Sequence, residues 1–177
     1  SIGCDEYYPG AATGPLRVAV AATFTNVLAG FPLGLTALIE GRAGLSVWDF
    51  GDGLGLTNRL YTSHAWTVLG DYAVVLRAYN ESNPGGVSAT VTVHVVAQPV
   101  HYVAADNATP VPPYTSWATA ATNIQDAVDA ADAASLPPGS VLVLVTNGVY
   151  QTGARAVYGM SNRVAVTQPV TVRSVNG

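Results

Sequence analysis

The sequence predicts a mainly β protein of two domains, an antiparallel β-sandwich followed by a helix with parallel-type strands. Three observations support this prediction. Residues 16–96 alternate with period 2 between turn signals, a single helix-type apolar stripe begins near residue 123, and a continuous apolar run follows it. The predicted boundaries are 1–15 for a linker or tail, 16–97 for the sandwich and 98–177 for the second domain.

Composition excludes several classes of function. Of the 177 residues, 49% are apolar and 10% are charged, which predicts a packed core rather than disorder. The chain has no lysine, its seven positive charges are arginines, and its net charge is −4, so nucleic acid is not expected as a partner. No apolar stretch reaches the length of a membrane span.

The single cysteine, Cys4, cannot form an internal disulfide. The preceding Ile-Gly loosely resembles the end of a bacterial lipoprotein signal, but the hydrophobic region of such a signal is missing from the sequence. We therefore interpret Cys4 as part of an upstream linker, and we expect the chain to be a piece of a longer protein.

The strands of the sandwich are predicted from alternation. In "GVSATVTVHVV" one face is apolar and the other polar, the apolar face being Val87, Ala89, Val91, Val93 and Val95. "DYAVVLRAYN" alternates in the same way, with an apolar face of Tyr72, Val74, Leu76 and Ala78. The turn signals "GFPLG", "GDG", "LGD" and "ESNPGG" separate such runs, which favours an antiparallel sandwich.

"VWDFGDG" holds two carboxylates within a glycine-rich turn. Gly51 and Gly53 allow positive φ there, and Asp49 and Asp52 can accept hydrogen bonds from nearby amides, which predicts a tight strand connection. Trp48 and Phe50 lie on the face opposite Asp49, and we expect them in the core. The alternatives are a catalytic carboxylate pair and a calcium site formed by Asp49 and Asp52.

The order of "LSVWDFGDG", "YTSHAW", "LGDYAVVLRAYNESN" and "VSATVTVHV" resembles a polycystic kidney disease (PKD) domain. The resemblance implies an immunoglobulin-like β-sandwich that serves as a spacer or as a carbohydrate- or protein-binding module. Where that family has His-Thr-Tyr or His-Thr-Phe after the turn, this chain has His64, Ala65 and Trp66. We expect a structural His64, with a metal or catalytic role as the alternative.

A proline-rich linker or ordered surface loop is predicted over residues 97–117, where the second domain begins. A helix follows in "NIQDAVDAADAAS", capped by Thr122 or Asn123 and ended by "LPPG". Its apolar stripe is Ile124, Ala127, Val128, Ala131 and Ala134. "SVLVLVTNGVY" predicts a strand buried on both faces, and "RVAVTQPVTVRSVNG" predicts two short β segments around a proline turn.

This second part is similar to the start of a right-handed parallel β-helix of the pectate-lyase-like type, the segment 124–128 being the specific match. The resemblance implies a helical cap over the first rungs of a coil whose family often degrades polysaccharide. Stacked repeats bury their faces only against neighbours, and only one or two rungs fit before Gly177. We expect self-association or poor order at an open end that exposes Val164, Val166, Val170 and Val172.

The function predicted from these observations is a non-catalytic accessory part of a secreted or surface-attached bacterial protein linked to polysaccharide degradation or adhesion. One alternative is a β-helical lyase or hydrolase, for which Arg155, Arg163 and Arg173 are the available cations. The other is a spacer without affinity for sugars. No cofactor is expected, apart from the calcium alternative.

Sugar binding uses exposed aromatic rings. Outside the predicted core, the rings suited to stacking on a sugar are Tyr61, Tyr114 and Trp117, together with Tyr7 and Tyr8 near the start. For Trp117 we favour packing beneath the helix, with stacking on a sugar as the alternative. The aspartates at 126, 129 and 132 are interpreted as the solvated face of the helix, with a calcium or substrate site as the alternative.

Overall fold

A computed structural model of the chain describes residues 11–133 and 135–176. The expected tail at 1–15 and Cys4, Tyr7 and Tyr8 fall wholly or mostly outside these residues. The chain forms two compact units, and the boundary between them lies between Val95 and Val96. No helix among the described residues is long and apolar enough to span a membrane.

The first unit contains eight strands in two antiparallel sheets. Strand β1 pairs with β3 and β3 with β6, and the second sheet has the order β2-β8-β7-β4-β5. The strands are β1 (Arg17–Ala22), β2 (Asn26–Leu28), β3 (Leu33–Glu40), β4 (Leu45–Asp49), β5 (Gly55–Thr57), β6 (Tyr61–His64), β7 (Gly70–Asn80) and β8 (Asn83–Val96).

The core of this unit lies between the two sheets. Leu33 and Leu35 of β3 meet Trp48 of β4 and Leu76 of β7, all at most 2% exposed. The alternating faces predicted for β7 and β8 are confirmed, because Val74 and Val93 are fully buried while Ala73 and Thr92 are exposed. The hydrophobic effect along these two inward faces therefore holds the sheets together.

The second unit is built on a parallel sheet of three strands in the order β13-β10-β9. Its elements are β9 (Val100–Val103), a 3-10 helix (Trp117–Thr119), α1 (Ile124–Ala130), β10 (Val141–Val145), β11 (Arg155–Val157), β12 (Met160–Asn162) and β13 (Val170–Ser174). Strand β10 is buried along nearly its whole length, as predicted for "VLVLV". Ala127 and Val128 of α1 pack on Val143 in the same core.

Helix α1 begins where the sequence predicts and ends earlier. The Asn123 side chain accepts a hydrogen bond from the amide of Asp126 at 2.9 Å and donates one to its carboxylate at 2.7 Å. The predicted helix extends to residue 135, whereas α1 ends at Ala130. Ala131 and Ala133 are both buried, a period-2 pattern, so burial against the core overrides the helix propensity of alanine. Ala134 is outside the described residues.

Two other predictions for the second domain are wrong. The supposed loop at 97–117 contains β9, whose partner β10 lies about 40 residues further on, with Val103 opposite Val145. Residues 163–166 form no strand, because Ala165 bonds instead to the Gln125 side chain through its amide (2.6 Å) and its carbonyl (3.2 Å). A hairpin of β11 and β12, absent from the prediction, precedes them.

Candidate functional site

The "VWDFGDG" stretch forms the end of β4 and the turn of a hairpin with β5. Asp49 lies opposite Gly55, and Phe50 donates an amide hydrogen bond to the Leu54 carbonyl at 3.0 Å. Gly51 has φ +78°, and a Cβ there would lie 3.0 Å from the Ala73 carbonyl oxygen. The chain can turn at this point because glycine adopts a left-handed backbone conformation without strain and has no Cβ to clash with Ala73.

Both carboxylates of the turn bind the backbone. One Asp49 oxygen accepts from the amide of Gly51 at 2.9 Å, and one Asp52 oxygen accepts from the amide of Leu54 at 3.1 Å. Such Asx turns stabilise a tight connection. The sequence predicted that these carboxylates accept hydrogen bonds from nearby amides, but it did not identify the amides as those of Gly51 and Leu54.

The other oxygen of Asp52 lies 2.7 Å from Nε2 of His64, and these two side chains are 21% and 13% exposed. The His64 ring stacks on Phe50, with a centroid distance of 4.1 Å and an angle of 2° between ring planes. Its neighbour on the other side is Trp66, edge-on at 4.7 Å. His64 therefore joins the turn to strand β6 of the other sheet.

Two tryptophans anchor the base of the turn. The Trp66 indole donates to the carbonyl of Phe50 at 3.0 Å, and the Trp48 indole donates to the carbonyl of Arg59 at 2.8 Å. Trp66 is 2% exposed and Trp48 is fully buried. Buried indole N–H groups need such partners, and here both partners belong to the segments that flank the turn.

Electrostatics favour the ionised form of Asp52. Burial by itself would raise the pKa of Asp52, but the hydrogen bonds from His64 and from the Leu54 amide, with the charge of His64, lower it below the ordinary value of 3.8. The carboxylate is thus held as the anion, which is the opposite of what a general acid for glycoside cleavage requires.

This pKa shift predicts a specific acid sensitivity of the first unit. Because the folded-state pKa of Asp52 is depressed, its stabilisation is complete above pH 3.8 and is lost as the pH falls through the lower folded value. We expect the free energy of unfolding to fall between about pH 5 and pH 2 more steeply in the wild type than in Asp52→Asn. Urea unfolding at several pH values measures both slopes.

The matched control for this experiment is Asp71→Asn. Asp71 also lies 2.7 Å from a histidine, His94, but its side chain is 71% exposed. Solvent weakens such exposed pairs, so the acid slope should change little in this variant. Equal slopes in the wild type and Asp52→Asn would contradict the assignment of acid sensitivity to Asp52.

The calcium alternative at Asp49 and Asp52 stays a prediction. Calcium requires about six to eight oxygen ligands, and among residues 11–133 and 135–176 no group of three or more His, Cys, Asp or Glu side chains is placed to hold a metal. One Asp52 oxygen also faces the nitrogen of His64 at 2.7 Å, where a cation would have to displace the ring.

The three predicted stacking residues occupy different surroundings. Tyr61 on β6 is 76% exposed, and Trp117 is 43% exposed with its ring 4.5 Å from Tyr102 at an angle of 61°. Tyr114 is half-buried and packs against the core of the second unit. Burial and the carboxylate of Asp126 raise the pKa of Tyr114 above its ordinary value.

The three arginines considered for a lyase have different partners in the structure. Arg155 forms an ion pair with Asp129 of α1, and the Arg163 side chain donates to the Gly153 carbonyl at 3.1 Å. Arg173 is exposed on β13. The structure thus brings Asp129 and Arg155 together, a contact that the interpretation of the helix aspartates as a solvated face did not include.

Sequence reasoning missed two surface features. Tyr158, at the tip of the β11–β12 hairpin, is 97% exposed. A groove of about 290 Å³ lies in the first unit, lined by Val47, Asp49, Val75, Arg77 and Tyr79. The alternation of β4 and β7 contained a signal for the groove, because these residues are the outward members of strands whose inward members were identified.

The fold defines a mainly β protein whose first unit is a β-sandwich. In this unit the acidic turn contacts His64 through Asp52. No family model matches the chain, and no curated protein matches it. Similar solved structures include the PKD1 domain of Vibrio anguillarum Epp, at 17% identity and a TM-score of 0.40, covering 48% of this chain and 96% of that one.

Two further solved structures are similar. The PKD domain of human VPS10 domain-containing receptor SorCS2 has 20% identity and a TM-score of 0.40, covering 55% of this chain and 94% of that one. A structure of carbohydrate-binding modules from the β-sandwich superfamily has 18% identity and a TM-score of 0.43, covering 55% of this chain. This chain spans 39% of that structure.

Proposed function

We propose that the chain is a non-catalytic accessory part of a larger secreted or surface-attached bacterial protein, and that its immunoglobulin-like PKD-type sandwich acts as a carbohydrate-binding module. The observation that carries the binding role is the exposure of a large aromatic ring on the sandwich, Tyr61 at 76%. A flat ring free of the core can stack on a sugar face. The acidic turn supports a non-catalytic role, because both of its carboxylates bind within the fold.

The test is binding of the full chain to a glycan array, with Tyr61→Ala and Trp117→Ala beside the wild type. We expect retention on at least one polysaccharide, weakened about tenfold in a variant that removes a contacting ring. Ala118→Ser, next to Trp117 and exposed, serves as a control for the surface of the second unit. A wild type that binds no glycan would favour the spacer function instead.

For the second unit we propose the helix-capped start of a parallel β-helix. Support comes from the sheet itself, since β9, β10 and β13 are parallel neighbours in chain order, with Val143 paired to both His101 and Val172. At the outer edge of β9, the Tyr102 amide donates to the Tyr114 carbonyl at 2.7 Å, and the Ala121 amide donates to the Tyr102 carbonyl at 2.9 Å.

The opposite edge is formed by β13, where Val172 is 39% exposed although Val143, its partner on β10, is fully buried. Stacked strands continue such a row, so β13 is the expected site for another rung or for a second copy of the chain. Light scattering over a hundredfold concentration range tests the second possibility. A single monomeric mass throughout would count against self-association, and a Val172→Lys variant should remain monomeric.

Polysaccharide degradation by the chain itself is the competing proposal. It requires a base and cations set along one groove, whereas Arg155 and Arg163 are engaged in an ion pair and a backbone contact. Incubation with acidic and neutral polysaccharides, with detection of unsaturated or reducing ends, distinguishes the two. Release of such products by the purified chain would overturn the accessory role.

A further inference from the structure

The groove on the outer face of the five-stranded sheet combines apolar and charged side chains in a regular order. It belongs to β4 and β7, on the side of the sheet turned away from the core. In the strand register Val47 is opposite Arg77, and Asp49 is opposite Val75. The two half-buried valines are therefore diagonal to each other and form the apolar base of the groove. The Arg77 cation and the Asp49 carboxylate occupy the other diagonal, at opposite ends of this base.

The third side of the groove is Tyr79, and the local backbone fixes its position. The pairing of β7 with β8 is irregular between Ala78 and Asn80, and such bulges redirect the side chains next to them. Gly86 of β8 has φ +76°, and a Cβ there would lie 2.7 Å from both Tyr79 Cε1 and Arg77 Cγ. The tyrosine ring and the stem of Arg77 therefore lie over a backbone position that only glycine leaves open.

The two charges of the groove do not neutralise each other. Asp49 uses one oxygen for the Gly51 amide, and no hydrogen bond or ion pair joins it to Arg77 in the part of the chain that the structure describes. In the strand register the two residues are diagonal neighbours, with backbone positions about 7–8 Å apart. Arg77 therefore offers only donors, and Asp49 offers acceptors, at separate points around the apolar base.

The charges and the apolar base of the groove indicate which class of ligand it can bind. The groove has no net formal charge, so an anion or a cation attracted to one end is repelled by the other. A sugar hydroxyl both donates and accepts, so one ring can satisfy the guanidinium and the carboxylate together. The C–H face of a pyranose matches the two valines and the tyrosine ring.

We propose that this groove binds an uncharged hexopyranose unit of a polysaccharide, with Arg77 and Asp49 holding hydroxyl groups and Tyr79 contacting the ring face. The proposal rests on the carbohydrate-binding function proposed above, and its residues lie on a different sheet of the sandwich from Tyr61. Gly86 is a positioning residue in this arrangement, because it makes room for both Tyr79 and Arg77.

Affinity electrophoresis of the full chain in gels that contain β-glucan, mannan, galactan or polygalacturonate tests the proposal. We expect at least one neutral polysaccharide to retard the wild type, and we expect Tyr79→Val and Arg77→Leu each to weaken this retardation about tenfold or more. Arg17→Leu is the matched control, since Arg17 is an exposed strand arginine of the other sheet and should bind like the wild type.

The outcomes separate this inference from the broader function. Retardation that survives in both groove variants and is lost in Tyr61→Ala or Trp117→Ala would overturn the groove assignment while leaving sugar binding in place. Retardation by polygalacturonate alone would overturn the uncharged ligand class. A wild type that no polysaccharide retards would overturn both proposals in favour of the spacer. Circular dichroism melting of each variant shows that any loss occurs in folded protein.

Discussion

Replacing Trp66 with alanine is expected to lower the free energy of unfolding of the first unit by about 3–5 kcal/mol, the usual cost of removing a large aromatic side chain from a core. Trp66 is 2% exposed, its indole donates to the carbonyl of Phe50, and its ring meets His64 at 4.7 Å. The substitution leaves a cavity, an unpaired carbonyl and an unsupported histidine. We therefore expect the largest single-site loss of stability in this unit among the variants considered.

Urea unfolding followed by tryptophan emission measures this effect in a Trp117→Phe background, where the two remaining tryptophans, Trp48 and Trp66, both lie in the first unit and Trp48 reports in the Trp66→Ala variant. Tyr61→Ala is the control, because it removes a ring that is 76% exposed from the same unit. That control should change the free energy by about 0.5 kcal/mol or less. A Trp66→Ala midpoint close to that of the control would show that the turn does not depend on this indole.

The parts of the fold that the sequence predicts are those whose signals are local. Strands β7 and β8 are long, and each alternates between apolar and polar residues, so their inward faces could be assigned residue by residue. Asn123 and Asp126 are three residues apart and cap α1 through their own side chains. Hydrophobic periodicity and helix capping both depend on residues that are close in the sequence, within one strand or one helical turn.

The missed elements depend on distant partners or on weak turn signals. Strand β9 is short, and its hydrogen bonds come from β10, so a proline-rich neighbourhood suggested a loop. The β11–β12 hairpin turns at Tyr158 and Gly159, which both have positive φ, and tyrosine is not a residue that predicts such a turn. The early end of α1 follows from burial of Ala131 and Ala133, which composition does not reveal.

The candidate site shows the same division. The turn around Asp49 and Asp52 was predictable from its glycines, whereas the contact between Asp52 and His64 joins residues twelve apart that lie in different elements. The groove of Arg77 and Tyr79 looks, in sequence, like the solvated side of a strand. Only the pairing of β4 with β7 and the position of Gly86 bring its members together.

The second large effect is expected in the other unit, at Gln125, which is 2% exposed. Its side chain acts as the hydrogen-bonding partner of an extended backbone, since it accepts from the amide of Ala165 at 2.6 Å and donates to the carbonyl at 3.2 Å. It also donates to Asp129 at 2.7 Å. Gln125→Met keeps the volume and removes all three bonds, so we expect a loss of about 2–4 kcal/mol in the free energy of unfolding.

This loss has a local signature that distinguishes it from general destabilisation. Without the amide of Gln125, the backbone of Ala165 has no partner in α1, so hydrogen exchange should accelerate in the peptide that contains Ala165 before it does in β10. Gln151→Met is the control. Gln151 is exposed, so this substitution makes the same chemical change outside the core. Equal exchange at Ala165 in both variants would show that α1 does not hold this segment, and that the missing strand at 163–166 needs another cause.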